Sequence, residues 1–244
     1  MTQTETRDAA GSQAAIGQQA VHFSFYKLRP AWYQLEASER RRIAKDFISL
    51  LARWDERLLM VSYSLVGIRA DCDIMLWKAA ESVDEIHELG LEIASSGIGS
   101  YLDTVYAYLS LTKRSIYVRE HQHEGQEGTR LRIAPVGAKY LFVYPFVKTR
   151  PWYKLPLEER QAMMNDHIRV GHKYPRVRLN TTYSFGLDDQ EFVLAFETDY
   201  PSDFLDLVME LRESETSQYT ERDTPIFTCI KAEGAGLLPS LGVS

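Results

Sequence analysis

Two stretches of this chain, about 120 residues apart, are drifted copies of one another, and a unit that must pack against its own duplicate leaves few folds open. Phe23-Ser24-Phe25-Tyr26-Lys27-Leu28-Arg29-Pro30 reads against Tyr144-Pro145-Phe146-Val147-Lys148-Thr149-Arg150-Pro151. With a single-residue gap at Ala31, the frame runs on through Glu39-Arg40 and Glu159-Arg160 to Asp46-Phe47 and Asp166-His167. In that frame Phe23 becomes Tyr144 and Phe47 becomes His167. One copy of a duplicated core can remain scaffold while the other takes on chemistry, so a phenol and an imidazole gained together mark the second copy as the candidate site.

The hydrophobic pattern predicts the same order of elements in each copy. Alternating aromatic segments at 21–26 and 139–144 read as strands. Helices follow. Residues 39–54 place Ile43, Phe47, Leu50, Leu51 and Trp54 on one face, and 157–170 do the same with Met163, Met164, His167 and Ile168. Pro156 suits the start of the second helix and Gly171 its stop. Hairpin strands come next, 60–69 with 74–77 and 177–186 with 191–198, joined by polar turns. Further helices at 83–93 and 202–212 put Arg212 where the first copy has Ala94, and strands at 103–111 and 225–231 close each unit. The expected fold class is therefore α+β, two ferredoxin-like βαββαβ repeats with antiparallel sheets and helices on one face.

The predicted organisation is a disordered tail over 1–20, a scaffold repeat over 21–117, a polar connecting loop over 118–130 and a site-bearing repeat over 131–232. The Gly/Leu/Ser-rich tail 233–244 is expected to dock on a neighbour or fray. A composition that is 45% apolar is ample for a core, and a net charge of −6 argues against a general nucleic-acid binder. No run of 18 apolar residues is present to span a bilayer, and the first 20 residues lack the apolar stretch of a signal peptide. Cys72 and Cys229 have no metal-ligand spacing and suit a reducing compartment, so the expectation is a cytoplasmic protein.

The residues leave two readings of His167, a buried hydrogen-bonded histidine or an iron ligand on an apolar helix face. Phenylalanine already fills the equivalent slot in the first copy, so an imidazole there adds only polar cost unless it is used. Tyr144, Phe146 and Lys148 are two apart on one strand and share a face, which would set an ammonium near an oxidisable phenol. Arg130, Arg150 and Arg212 are ordinary surface charges taken singly, but converging arginines with Lys148 and Ser217 would suit carboxylates. His121 and His123 lack supporting ligand spacing and read as solvated loop residues, and His22, His87 and His172 as structural.

Taken together, Tyr144-Pro145-Phe146-Val147-Lys148-Thr149-Arg150, Trp152-Tyr153, Glu158-Glu159-Arg160, Met163-Met164 and Asp166-His167 resemble the chlorite-dismutase-like heme protein family, and within it the coproheme decarboxylases. The resemblance covers about residues 21–232 and is strongest from Lys139 to Thr228. It implies ferredoxin-like repeats in a dimeric α+β barrel arrangement, a homopentamer, and one porphyrin site in the C-terminal half. The cofactor or substrate would be heme b or iron coproporphyrin III, with hydrogen peroxide as co-substrate. By the same resemblance His167 matches the iron ligand, Tyr144 the radical-forming tyrosine and Lys148 the proton-delivering lysine. Arg130, Arg212 and Ser217 match propionate binders, and Trp152, Met164 and Leu179 belong to the same porphyrin-binding set.

The departures bear on activity. Chlorite-decomposing relatives carry an arginine at the position of Leu179, and a leucine cannot orient an oxychlorine anion. Coproheme decarboxylases of one bacterial group carry alanine there and a distal histidine where this chain has Glu127. The expected reaction is peroxide-dependent decarboxylation of coproheme to heme b through a tyrosyl radical. The alternatives are a chlorite dismutase or other peroxidase-like member, and a non-enzymatic heme-binding protein.

Overall fold

Most strand segments carry apolar residues at both alternating sets of positions, so they have two faces to bury, and a closed sheet clad outside by helices buries both. The computed structural model describes residues 17–117 and 131–243. Most of the expected N-terminal tail and the whole connecting loop 118–130, with Arg130, His121, His123 and Glu127, lie outside the described residues.

The first copy comprises β1 (Ala20–Leu28), α1 (Pro30–Tyr33), α2 (Ala37–Asp55), β2 (Leu59–Ser64), β3 (Ile74–Ala80), α3 (Val83–Ser95) and β4 (Leu102–Leu111). The second comprises β5 (Tyr140–Lys148), α4 (Arg150–Lys154), α5 (Leu157–His172), β6 (Arg178–Tyr183), β7 (Phe192–Thr198), α6 (Pro201–Glu213), the short β8 (Thr220–Arg222) and β9 (Phe227–Lys231). The strands run β4-β1-β3-β2 in one copy and β9-β5-β7-β6 in the other, all antiparallel. β2 pairs with β9 and β4 with β6, so eight strands close into a barrel and β8 adds to the end of β5. The second strand of each copy thus meets the last strand of the other.

Local signals place the helix ends. Ser82 caps α3 by accepting the Glu85 N–H at 3.3 Å, with Asp84 and Glu85 complementing the helix dipole in the first turn. α5 starts after Pro156 but runs through Gly171 to His172. The expected stop at Gly171 is corrected because the helix ends on Lys173 in ordinary right-handed geometry, which requires no glycine.

The repeat itself needs a larger correction. Arg29 donates its N–H to the Tyr101 carbonyl at 2.9 Å, and Thr149 donates to Tyr219 at 2.8 Å, so these two residues correspond. Buried Trp32 and Trp152 then correspond without any gap. In the ladders Ser24 faces Leu76 of β3, and Tyr144 faces Leu194 of β7. The counterpart of Tyr144 is therefore Ser24, not Phe23, and that of Lys148 is Leu28. The Phe47 and His167 pairing keeps its place, because the ungapped frame reaches it too.

Three apolar clusters form among the described residues. The barrel interior contains only strand and loop residues, among them Phe23, Phe25, Trp77, Val143 and Phe227, with Phe25 stacked on Phe227 at 4.0 Å. Outside it, α2 and α3 pack on the first copy and α5 and α6 on the second. The described part of the tail does not fray. It forms a 3₁₀ helix, Gly234–Leu241, whose Leu237 and Leu241 are fully buried in the helical layer of the first copy. The Trp32 indole N–H donates to the Leu241 carbonyl at 2.8 Å. Leu237→Ala is expected to cost about 3 kcal/mol through lost transfer energy and the cavity left behind, read as a lowered urea midpoint with unchanged slope.

Beneath that layer, Lys78 is 2% exposed and its ammonium donates to Ser24 Oγ at 2.8 Å. Burial lowers its pKa from 10.5 to about 7. Between about 7 and 10 the unfolded chain holds a proton that the folded chain has shed, so this group makes stability rise with pH across that window. Lys78→Met is expected to raise stability near neutral pH by a few kcal/mol and to flatten that rise, as checked by urea unfolding at several pH values.

Candidate functional site

In the first copy the helix-facing sheet surface is sealed. α2 buries Ile43, Ala44, Phe47, Leu50, Leu51 and Trp54, and every residue of β3 is buried. The second copy is built on the same frame but left open. α5 buries only Met163, and β7 leaves Phe192 and Leu194 partly exposed where β3 has Ile74 and Leu76 at 0%. Leu179, Phe146, Val170, Leu211 and Ile226 are likewise only partly covered around Phe142, Tyr144, Phe196, Phe204 and Leu207. The result is a half-covered apolar face where α5, α6 and the sheet meet, hereafter the slot.

Tyr144 lies on the sheet wall, 7% exposed, with its ring stacked on Phe196 at 5.9 Å. Burial raises its pKa well above the usual tyrosine value, with a further push from the Asp223 carboxylate, so the phenol stays protonated. Leu179 lies across from Phe196 in the β6–β7 ladder, on the same wall. At the end of β5, the Lys148 ammonium donates to the Thr216 carbonyl at 2.9 Å and sits over the Trp152 ring at 4.5 Å and the Phe146 ring at 5.4 Å. Burial lowers its pKa to about 8, against a partial opposing effect of Glu191.

His167 projects from α5, with Nδ1 3.2 Å from Thr216 Oγ1. That contact engages Nδ1, so Nε2 is the ring nitrogen that could serve a ligand. Burial, reinforced by the Lys148 charge, lowers the imidazole pKa to about 4, so it is neutral at physiological pH and keeps a lone pair to donate. At the rim, Arg212 bonds Asp223 through Nη2 at 2.6 Å and is largely exposed, and Ser217 Oγ donates to the Arg212 carbonyl at 2.7 Å. Met164, beside buried Met163, is partly exposed on α5.

The structure thus gathers Tyr144, Phe196 and Leu179 on the wall, Lys148 over Trp152, and His167 joined to Lys148 through Thr216. Sequence reasoning missed Thr216, which is 2% exposed and serves His167 with its hydroxyl and Lys148 with its carbonyl. It also missed Glu191, whose carboxylate accepts the Lys148 backbone N–H at 2.9 Å, the Tyr153 hydroxyl and Arg150 at 3.3 Å. An acidic residue directly before the apolar run 192–196 was the available signal. Among the described residues no group of three or more His, Cys, Asp or Glu side chains could hold a metal ion. No described helix is long and apolar enough to cross a membrane.

A family model described as chlorite dismutase matches residues 40–232. The coproheme decarboxylase of Mycolicibacterium smegmatis is 29% identical over 193 residues, covering 78% of this chain and 81% of that protein. Among solved structures, chlorite dismutase from Candidatus Nitrospira defluvii in complex with imidazole superposes with a TM-score of 0.82 at 23% identity, covering 91% of this chain and 94% of that one. A heme-binding protein from Thermus thermophilus gives 0.79 at 23% identity, covering 93% and 96%. These structural likenesses support the fold.

Proposed function

This chain belongs to the chlorite dismutase family, and from that premise we propose that its second copy takes up iron coproporphyrin III and, with hydrogen peroxide, decarboxylates two propionates to give heme b. The observation that carries the proposal is the unequal sealing of two helical layers built on one frame. The half-covered apolar wall and the neutral imidazole suit a flat, apolar, iron-bearing ring, and the hydrogen-bond donors Arg212 and Ser217 at the rim suit its carboxylates.

His167 holds the iron through Nε2, with Thr216 fixing the other ring nitrogen and so the orientation of the imidazole. Arg212 and Ser217 hold propionates at the rim, Arg130 is assigned another by the family resemblance alone, and Trp152, Met164 and Leu179 wall the macrocycle. The iron porphyrin, as substrate, supplies the redox chemistry with peroxide. Tyr144 is oxidised to a neutral radical and takes a hydrogen atom from a propionate β-carbon. Lys148, held close to neutrality by burial, exchanges the proton that each turnover requires. One propionate, one peroxide and one proton give one vinyl group, one carbon dioxide and two waters, so each event balances. Leu179 offers no charge to an oxychlorine anion, which argues against chlorite as substrate.

The test is to add ferric coproporphyrin and then peroxide, following porphyrin mass. Two successive losses of one carbon dioxide and two hydrogens support the reading. An unchanged mass with Tyr144 intact rejects it.

A further inference from the structure

An ammonium on a four-carbon stem does not stay in an apolar slot unless its backbone is held there, because the same stem can carry the charge back to water. In the first copy the corresponding residue is Leu28, whose N–H donates to Asp73 Oδ2 at 2.9 Å. Asp73 opens onto β3 as Glu191 opens onto β7, and Glu191 accepts the Lys148 N–H through Oε2, also at 2.9 Å. The acids' own backbones match as well, with Asp73 N–H on the Tyr26 carbonyl at 2.8 Å and Glu191 N–H on the Phe146 carbonyl at 3.2 Å. Both carboxylates are about as buried, each at 6% exposure.

The same clamp thus turns a side chain inward in both copies, onto leucine in the scaffold and onto lysine in the slot. What differs is where the spare charge goes. Asp73 is covered by the ammonium of Lys27 at 2.8 Å, whereas Val147 stands at that place in the second copy. Glu191 is covered instead by the Tyr153 hydroxyl and by Arg150. Lys148 is therefore gripped by its main chain, and its ammonium bonds a neutral carbonyl rather than a carboxylate.

We infer that Glu191 is a positioning residue that holds Lys148 in the slot through its backbone N–H, leaving the ammonium unpaired with any carboxylate among the described residues and so available to a ligand carboxylate. The catalytic consequence rests on the porphyrin reading, but the positioning itself does not. It is tested on the full chain without porphyrin, by labelling amines with an N-hydroxysuccinimide ester and reading each lysine by mass spectrometry. Glu191→Met, which keeps length but loses the acceptor, is expected to speed labelling of Lys148 about tenfold while buried Lys78 in the other copy stays protected. Glu191→Gln, which retains an acceptor oxygen, is expected to keep Lys148 protected as in the unsubstituted chain. Unchanged Lys148 labelling in Glu191→Met overturns the inference. If Lys78 labels in parallel, that variant has lost its fold and Glu191→Asp decides: faster labelling of Lys148 alone supports positioning, and no change overturns it. Failure of coproporphyrin conversion in the unsubstituted chain would sink the porphyrin reading while leaving the labelling result standing.

Discussion

Replacing Tyr144 with phenylalanine is expected to abolish decarboxylation of iron coproporphyrin III, by about a thousandfold or more, while ferric coproporphyrin still binds within about threefold of its original affinity. Phenylalanine keeps the ring that stacks on Phe196 and removes only the hydroxyl, so fold and slot are retained. Burial holds the phenol protonated, which means that losing an electron must be accompanied by losing the proton. The other oxidisable ring proposed for the site, Trp152, has the Lys148 ammonium over it at 4.5 Å, a charge that opposes loss of an electron from it. Porphyrin mass after peroxide addition reads the conversion, and an absorbance titration reads the binding. Conversion at the original rate would remove Tyr144 from the mechanism, and a matching collapse of binding would make its role one of architecture.

His167→Phe restores the residue that the first copy uses at the same helical position, and is expected to weaken ferric coproporphyrin binding about a hundredfold through loss of axial ligation. Iron-sensitive absorbance bands should shift in the residual complex. The fold itself should survive, because Phe47 is accommodated in the equivalent slot. A second signature is independent of porphyrin. With its pKa lowered from 6.5 to about 4, the folded imidazole resists a proton that the unfolded chain accepts, so this group makes stability fall as pH drops through that window. The phenylalanine variant lacks that contribution and should lose less stability between about pH 6.5 and 4, as measured by urea unfolding. Retained affinity with unaltered bands would show that another residue holds the iron.

The duplication made most of the architecture legible, since two copies each with strands of period two and helices of period 3.6 left little freedom in element order. Its register was harder. Phe25 with Phe146, Lys27 with Lys148 and Arg29-Pro30 with Arg150-Pro151 are identities that draw an alignment one residue out of step. On a strand, one residue exchanges the two faces. Phe23 belongs to the barrel interior and Tyr144 to the helical layer, so the comparison that pointed to Tyr144 paired residues from opposite sides of the sheet. The indication was useful because Ser24, the true counterpart, also lacks a redox-active ring. Thr216 and Glu191 stayed hidden for a different reason. Their contacts with Lys148 span 68 and 43 residues and run partly through main-chain atoms, which leave no trace in side-chain patterning.

One joint of the barrel is built unlike the rest. β4 and β6 share a single backbone pairing, Leu111 with Tyr183. The gap is stitched by side chains: Asp188 accepts the Leu109 N–H at 2.7 Å, Ser184 donates to the Leu109 carbonyl at 2.6 Å, and Ser110 donates to Thr182 at 2.7 Å. Gln190 ties Ser184 and Asp188 together from within the same turn. A backbone ladder tolerates almost any residue, because its bonds come from atoms that every residue shares. A seam of hydroxyls and carboxylates does not, so at this joint neither copy is free to drift alone: a change at Ser110 must be answered at Thr182, 72 residues away.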